Sequence, residues 1–227
     1  MLAFVTCGAH QYTVRDVLET RSSAFQGCVM VLSYRDFLSF ESLPVADYIL
    51  VDLERIDDRV IGAAAKRVED LRRAVPGLKV LNTPEVGLRR LAVSQRLVAA
   101  GINEFRVAPI AAIPADLRFP VFVRRLDDHD GPLTGMLASR EEMDAAIARL
   151  RKNDASDADL AVTEFVDTRD TEGRHRKLSY FRVGERYFPG AMNWSADWVC
   201  KGVAGEGETD VMRAERMTFL TGNPHEA

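Results

Sequence analysis

Cysteine is scarce in this chain: Cys7, Cys28 and Cys200 are the only three, an odd number at wide spacing. That pattern excludes a disulfide framework and lacks the paired spacing of a zinc site, so reduced thiols in a cytoplasm are expected. No base is clearly supplied to draw off a thiol proton, which argues against a nucleophilic cysteine. His10, His129, His175 and His225 are equally scattered and have no metal-ligand spacing. No apolar run approaches the roughly 18 residues of a membrane span, and the stretch from Met1 to Asp16 has no basic segment before its short apolar run. Membrane insertion and export are therefore not expected. Long basic tracts are also missing. With 30 basic against 34 acidic residues and a formal charge of −4, nucleic acid is not an expected partner.

What is present is apolar substance: 47% of the 227 residues are hydrophobic, enough for one or two compact units and too much for a disordered chain. The clearest organisation is a βαβ unit. Tyr48 to Leu53 reads as a buried strand and Lys79 to Asn82 as the next. Between them, Val60, Ile61, Ala64, Val68, Leu71 and Val75 follow helical spacing, and Pro76-Gly77 ends the helix. A second helix is expected from Thr83 as N-cap, with Pro84 at the first helical position and Glu85 near the positive end of the dipole, running to Gly101. With a Val29 to Leu32 strand and a Val14 to Leu18 helix before it, the succession predicts a parallel sheet covered by helices over residues 1–108. A G-x-G-x-x-G turn is missing, which disfavours a simple Rossmann-type dinucleotide binder.

Beyond residue 108 the pattern changes. Val121 to Arg124 reads as a strand and Ser139-Arg-Glu-Glu as a capping box with Glu142 at its third position. The box opens a helix that buries Met143, Ala146, Ile147 and Leu150. Leu160 to Val166 reads as a further strand, Arg176 to Phe188 as a hairpin, and a partial helix begins near Val211.

Two segments carry chemistry. Arg124 ends an apolar strand beside the loop Asp127 to Gly135, an arrangement suited to clamping phosphate, or simply an exposed arginine beside an ordinary turn. The strand over Thr163 to Val166 runs into Asp167 and Asp170. Its exit can offer backbone groups to an adenine edge and a carboxylate to a ribose, or can be an amphipathic strand ending in a charged turn. Trp194 and Trp198, four apart, suit a core stripe as well as a substrate wall.

Leu81-Asn-Thr-Pro-Glu, the helix ending Leu97-Val-Ala-Ala-Gly-Ile, Phe119-Pro-Val-Phe-Val-Arg, Ser139-Arg-Glu-Glu-Met and Val162-Thr-Glu-Phe-Val-Asp together resemble the ATP-grasp superfamily over most of residues 48–201. The resemblance implies an α/β chain. A Rossmann-like lobe (1–108) precedes a small ATP-grasp lid (109–170) and the start of a large ATP-grasp subdomain (171–227), the last incomplete. It implies ATP as cofactor, with Arg124 in the place of the strand lysine on the phosphates. His129, Gly131 and the loop to Gly135 would lie over those phosphates. The backbone of Glu164, Phe165 and Val166 would meet adenine, and Asp170 the ribose. Arg90, or Arg89 one residue earlier, and Arg176, Lys177 and Lys201 complete the nucleotide set. Ser179 stands where many members carry an arginine.

In a complete form the implied reaction is activation of a carboxylate, on a small molecule or peptide, as an acyl phosphate for ligation to an amine or thiol. A homo-oligomer is compatible with it. Mg²⁺ is expected only in such a form, because the superfamily's acidic metal ligands fall beyond Ala227. The chain then reads as part of a longer protein, as one completed by a partner, or as a nucleotide-binding regulatory module without turnover.

Overall fold

The computed structural model describes residues 1–20, 25, 27–85, 89–126, 131–153, 155–200 and 208–224. It divides into two compact units, Met1–Asn103 and Glu104–Ala227. Among the described residues no helix is long and apolar enough to cross a membrane.

The first unit is an α/β unit. Its four-stranded sheet has the order β2-β1-β3-β4, built from β1 (Leu2–Thr6), β2 (Val29–Ser33), β3 (Asp47–Leu50) and β4 (Val80–Leu81). All neighbours are parallel, with Phe4 between Val31 and Ile49. Helices α1 (Gln11–Thr20), α2 (Tyr34–Ser39) and α3 (Asp58–Ala74) connect successive strands. Ala3 and Val5 of the central strand pack with Tyr48 and Leu50, with Phe37 of α2 and with Ala64 and Val68 of α3. The helical spacing read between Val60 and Val75 thus marks a buried stripe, since Ala64 and Val68 are fully enclosed.

The helix expected from Thr83 starts later. Helix α4 is Arg90–Ala99, and Arg89 stands at its N-cap position. The physical reason is local. The Thr83 side chain bonds the Glu85 carboxylate instead of capping a turn, and Asn82 before it lies in the left-handed region at φ 54°.

The second unit has two parts. An antiparallel sheet of order β5-β7-β6 joins β5 (Val107–Pro109), β6 (Val121–Arg125) and β7 (Leu160–Glu164), with α5 (Arg140–Lys152) between β6 and β7 in the chain. β5 pairs with β7, and the two compact units divide at Asn103. Val121, Val123, Leu160 and Val162 share one core with Met143, Ala146 and Ile147 of α5. Ser139 accepts from the Glu142 N–H, but the Glu142 carboxylate reaches the Ala138 N–H at 2.7 Å, so only half of the expected capping box forms. The other part is the hairpin of β8 (His175–Val183) and β9 (Arg186–Ser195), with α6 (Asp210–Gly222), capped by Thr209, beside it.

Candidate functional site

Strand alternation sorts the residues of β6 and β7. Val121 and Val123 face the α5 core, so Phe122 and Arg124 lie on the opposite face, where the register sets Phe122 beside Thr163 and Arg124 beside Ala161. Arg125 falls on the α5 side, opposite Leu160. On the Phe122 face an aromatic group gathers: the Trp198 ring lies 5.0 Å from Phe122 and 6.0 Å from Phe165. Trp194 is on β9 and Trp198 on the bend after it, so their spacing of four is not a helical stripe. The Thr163 hydroxyl on this face is buried and has no hydrogen-bond partner among the described residues.

The strand exit is partly engaged by the fold. The Glu164 N–H donates to the Arg106 carbonyl and the Phe165 N–H to the Pro120 carbonyl. Of the segment expected to meet adenine, Val166 alone has a backbone N–H without a bond to a described residue. The Glu164 side chain, 1% exposed, accepts from the Arg106 N–H at 2.8 Å and the Arg118 N–H at 2.8 Å, and its carboxylate pairs with both guanidiniums. Burial pushes this carboxyl up, but the Arg106 guanidinium and the two N–H groups outweigh it and hold the pKa at about 2. Glu164 is therefore a structural carboxylate joining three segments of the unit.

Asp170 is similarly occupied. It accepts from the N–H groups of Glu172 and Arg174 and pairs with the Arg174 and Arg176 guanidiniums. The Arg174 N–H, acting against burial, leads in holding its pKa below the usual aspartate value. Those contacts fill the acceptor positions that a ribose hydroxyl would need. Arg176 also pairs with Glu215 of α6 at 3.2 Å. Lys177, the next residue on β8, points to the other face and lies beside the Cys200 thiol, which burial pushes up and Lys177 lowers in part. Of Arg176 and Lys177, Lys177 is thus the one without a carboxylate partner among the described residues.

The segment after the phosphate-loop position runs along the outer edge of β6. Leu133 donates to the Val123 carbonyl, Val123 donates to the Thr134 hydroxyl, and Leu137 exchanges bonds with Val121. Gly131 enters it at φ 103°, a conformation that favours glycine. His129 and Lys201 lie outside the described residues. Arg90 opens α4 in the first unit, and the adjacent Arg89 pairs with Asp58 at 2.6 Å.

The first unit holds a cluster that the sequence reading left out. At the carboxyl ends of β1 and β3, the Asp52 carboxylate accepts from the Cys7 N–H at 3.1 Å and lies 3.4 Å from His10 Nδ1. Arg55 donates to His10 Nε2 at 2.7 Å, which leaves the ring proton on Nδ1, facing Asp52. Burial, followed by Asp52, pushes the Cys7 thiol up, so it is not an activated nucleophile. Beside this clasp a cavity of about 540 Å³ is lined by Asp52, Glu54, Asp58, Asn82, Pro84 and Arg89. Asp52 and Asn82 both take left-handed backbone, at φ 58° and 54°. The recurring signal was a polar residue just past the ends of β1, β3 and β4, at Cys7, Asp52 and Asn82. Asp52→Ala should lower the stability of this unit by about 1–3 kcal/mol, since it orphans the Cys7 N–H and places at φ 58° a residue that tolerates left-handed backbone less well than Asp. Chemical denaturation followed by circular dichroism checks it, and an unchanged midpoint would show that the clasp is incidental.

No protein-family model matches the chain, and no curated protein matches it. Solved structures do. A RimK-domain ATP-grasp protein from Sphaerobacter thermophilus matches with a TM-score of 0.48 and 16% identity, covering 96% of this chain and 81% of its own. D-alanine-D-alanine ligase from Helicobacter pylori matches with a TM-score of 0.44 and 9% identity, over 96% of this chain and 82% of its own. The ATP-grasp ligase PsnB, complexed with a minimal precursor, matches with a TM-score of 0.40 and 13% identity over the same shares. Two of these three solved structures are ligases and the third is a RimK-domain ATP-grasp protein.

Proposed function

We propose that the second unit binds ATP on the face of the three-stranded sheet that carries Phe122, Thr163 and Arg124, in the manner of an ATP-grasp protein. The observation that carries this reading is the ordering of that face. Ala161, level with Arg124, and Val166 are five residues apart, about 17 Å of extended chain, comparable with an extended nucleoside triphosphate. A cation stands at one end, an open backbone group at the other and aromatic rings between them. Arg124 and Lys177 would hold phosphate, Val166 the base edge, and Phe122 the apolar side of the nucleoside. ATP when bound supplies the phosphoryl group that activates a carboxylate for transfer to an amine or thiol.

Mg²⁺ fits less well. Among the described residues no group of three histidine, cysteine or carboxylate side chains could hold a metal. Asp167 is engaged by Arg169, and Asp170 by Arg174 and Arg176. Those engagements favour the second reading, a nucleotide-binding module that does not turn its ligand over.

Titration calorimetry with ATP and ADP, followed by ADP release with saturating Mg²⁺ and a panel of carboxylates and amines, tests both readings. The expected result is heat of binding at up to millimolar nucleotide, with ADP release far below the roughly 1 to 1,000 per second typical of enzymes. Absence of binding overturns the nucleotide reading. Magnesium-dependent turnover at an ordinary rate overturns the module and establishes the ligase.

A further inference from the structure

We infer that the Thr163 hydroxyl is a specificity-determining contact for the sugar of the bound nucleotide, an inference that rests on the nucleotide reading above. Thr163 is 6% exposed, and its oxygen has no partner among the described residues. A buried hydroxyl in that condition is uncommon and calls for a partner beyond the described residues, a place that a bound ligand can take. The register explains why the neighbouring strands offer none. Its two cross-strand neighbours are Phe122 on β6 and Val107 on β5, neither of which has a side-chain hydrogen-bonding group.

Position selects the ligand group. Thr163 lies two residues, about 7 Å, from the level of Arg124 and three residues, about 10 Å, from Val166. With phosphates at Arg124 and the base edge at Val166, the group opposite Thr163 is the ribose. The carboxylate first expected there, Asp170, has its acceptors filled by Arg174, Arg176 and Glu172. A hydroxyl donates and accepts, which suits a sugar hydroxyl of either polarity.

Thr163→Val keeps the shape and removes the oxygen. The full chain carrying it should fold with stability equal to or above that of the wild type, because an unpartnered polar group has been removed from a buried position. Its affinity for ATP should fall about tenfold. Affinity for inorganic tripolyphosphate, which has no sugar, should not change, and Thr163→Ser should keep most of the ATP affinity. Equal ATP affinity in wild type and Thr163→Val overturns the inference while leaving the nucleotide reading in place. Parallel loss of tripolyphosphate, or failure of Thr163→Val to fold, overturns it too, because the hydroxyl would then serve the fold. If the wild type binds no ATP, the nucleotide reading itself falls and takes this inference with it.

Discussion

Glu164→Ala should destabilise the second unit by about 3–5 kcal/mol, the range for removing one partner of a buried ion pair. The side chain is enclosed and accepts from Arg106 and Arg118 through both their backbone and their guanidinium groups. Truncation removes the acceptor and leaves those N–H groups and a partly buried Arg106 charge without it. Both tryptophans, Trp194 and Trp198, belong to this unit, so fluorescence during urea denaturation reports on it selectively. A change below about 1 kcal/mol, the worth of an exposed ion pair, would show that the network is solvated and incidental. The same carboxylate sets an acid limit. Its pKa falls from 4.5 to about 2 on folding, so its contribution is fully present above pH 4.5 and is lost as pH falls toward 2. Glu164→Ala should therefore flatten the stability profile in that window, measured as the denaturation midpoint against pH.

Arg124→Ala should lower ATP affinity ten- to hundredfold, with Arg125→Ala nearly without effect. The two are neighbours of the same charge, and only the pleat separates them. Arg124 shares a face with Phe122 and Thr163, and Arg125 lies opposite Leu160 on the face that packs against α5. A charge-assisted contact to phosphate is worth roughly 1.5–3 kcal/mol, which sets the expected range. Calorimetry on both variants, with circular dichroism to show that each is folded, makes the comparison. Equal losses would mean that ATP does not lie on the Phe122 face, and no loss from either would remove phosphate binding from β6 altogether.

Local signals were legible in the sequence and distant pairings were not. The stripe from Val60 to Leu71, the α5 residues Met143, Ala146 and Ile147, and the strands at Val121 and Leu160 all carry their burial in their spacing. Strand β1 was not, because polar and apolar residue types do not alternate along Leu2 to Thr6 and its burial comes from being central in the sheet. Thr83-Pro84-Glu85 has the chemistry of a helix start, yet a competing bond from Thr83 to Glu85 engages the hydroxyl first. The role of Glu164 depends on Arg106 and Arg118, 58 and 46 positions away, which no local pattern reveals. Arg176 and Lys177 are different: period-two alternation alone would have assigned them to opposite faces.

The irregularity in the hairpin bears on how this chain keeps to itself. Ser179 pairs with Ala191 and Tyr180 with Pro189, so Gly190 is an extra residue on β9. A Cβ there would meet the Phe181 ring at 2.3 Å, which ties the glycine to the bulge. Leu178, Phe181 and Val183 are exposed on this two-stranded ribbon, a composition that invites strands of other molecules to add on. The bulge breaks the straight run of backbone donors on β9, and Pro189 deletes one of them outright. An incoming strand finds a bent, gapped template, so a sticky ribbon is kept from seeding aggregation along that edge.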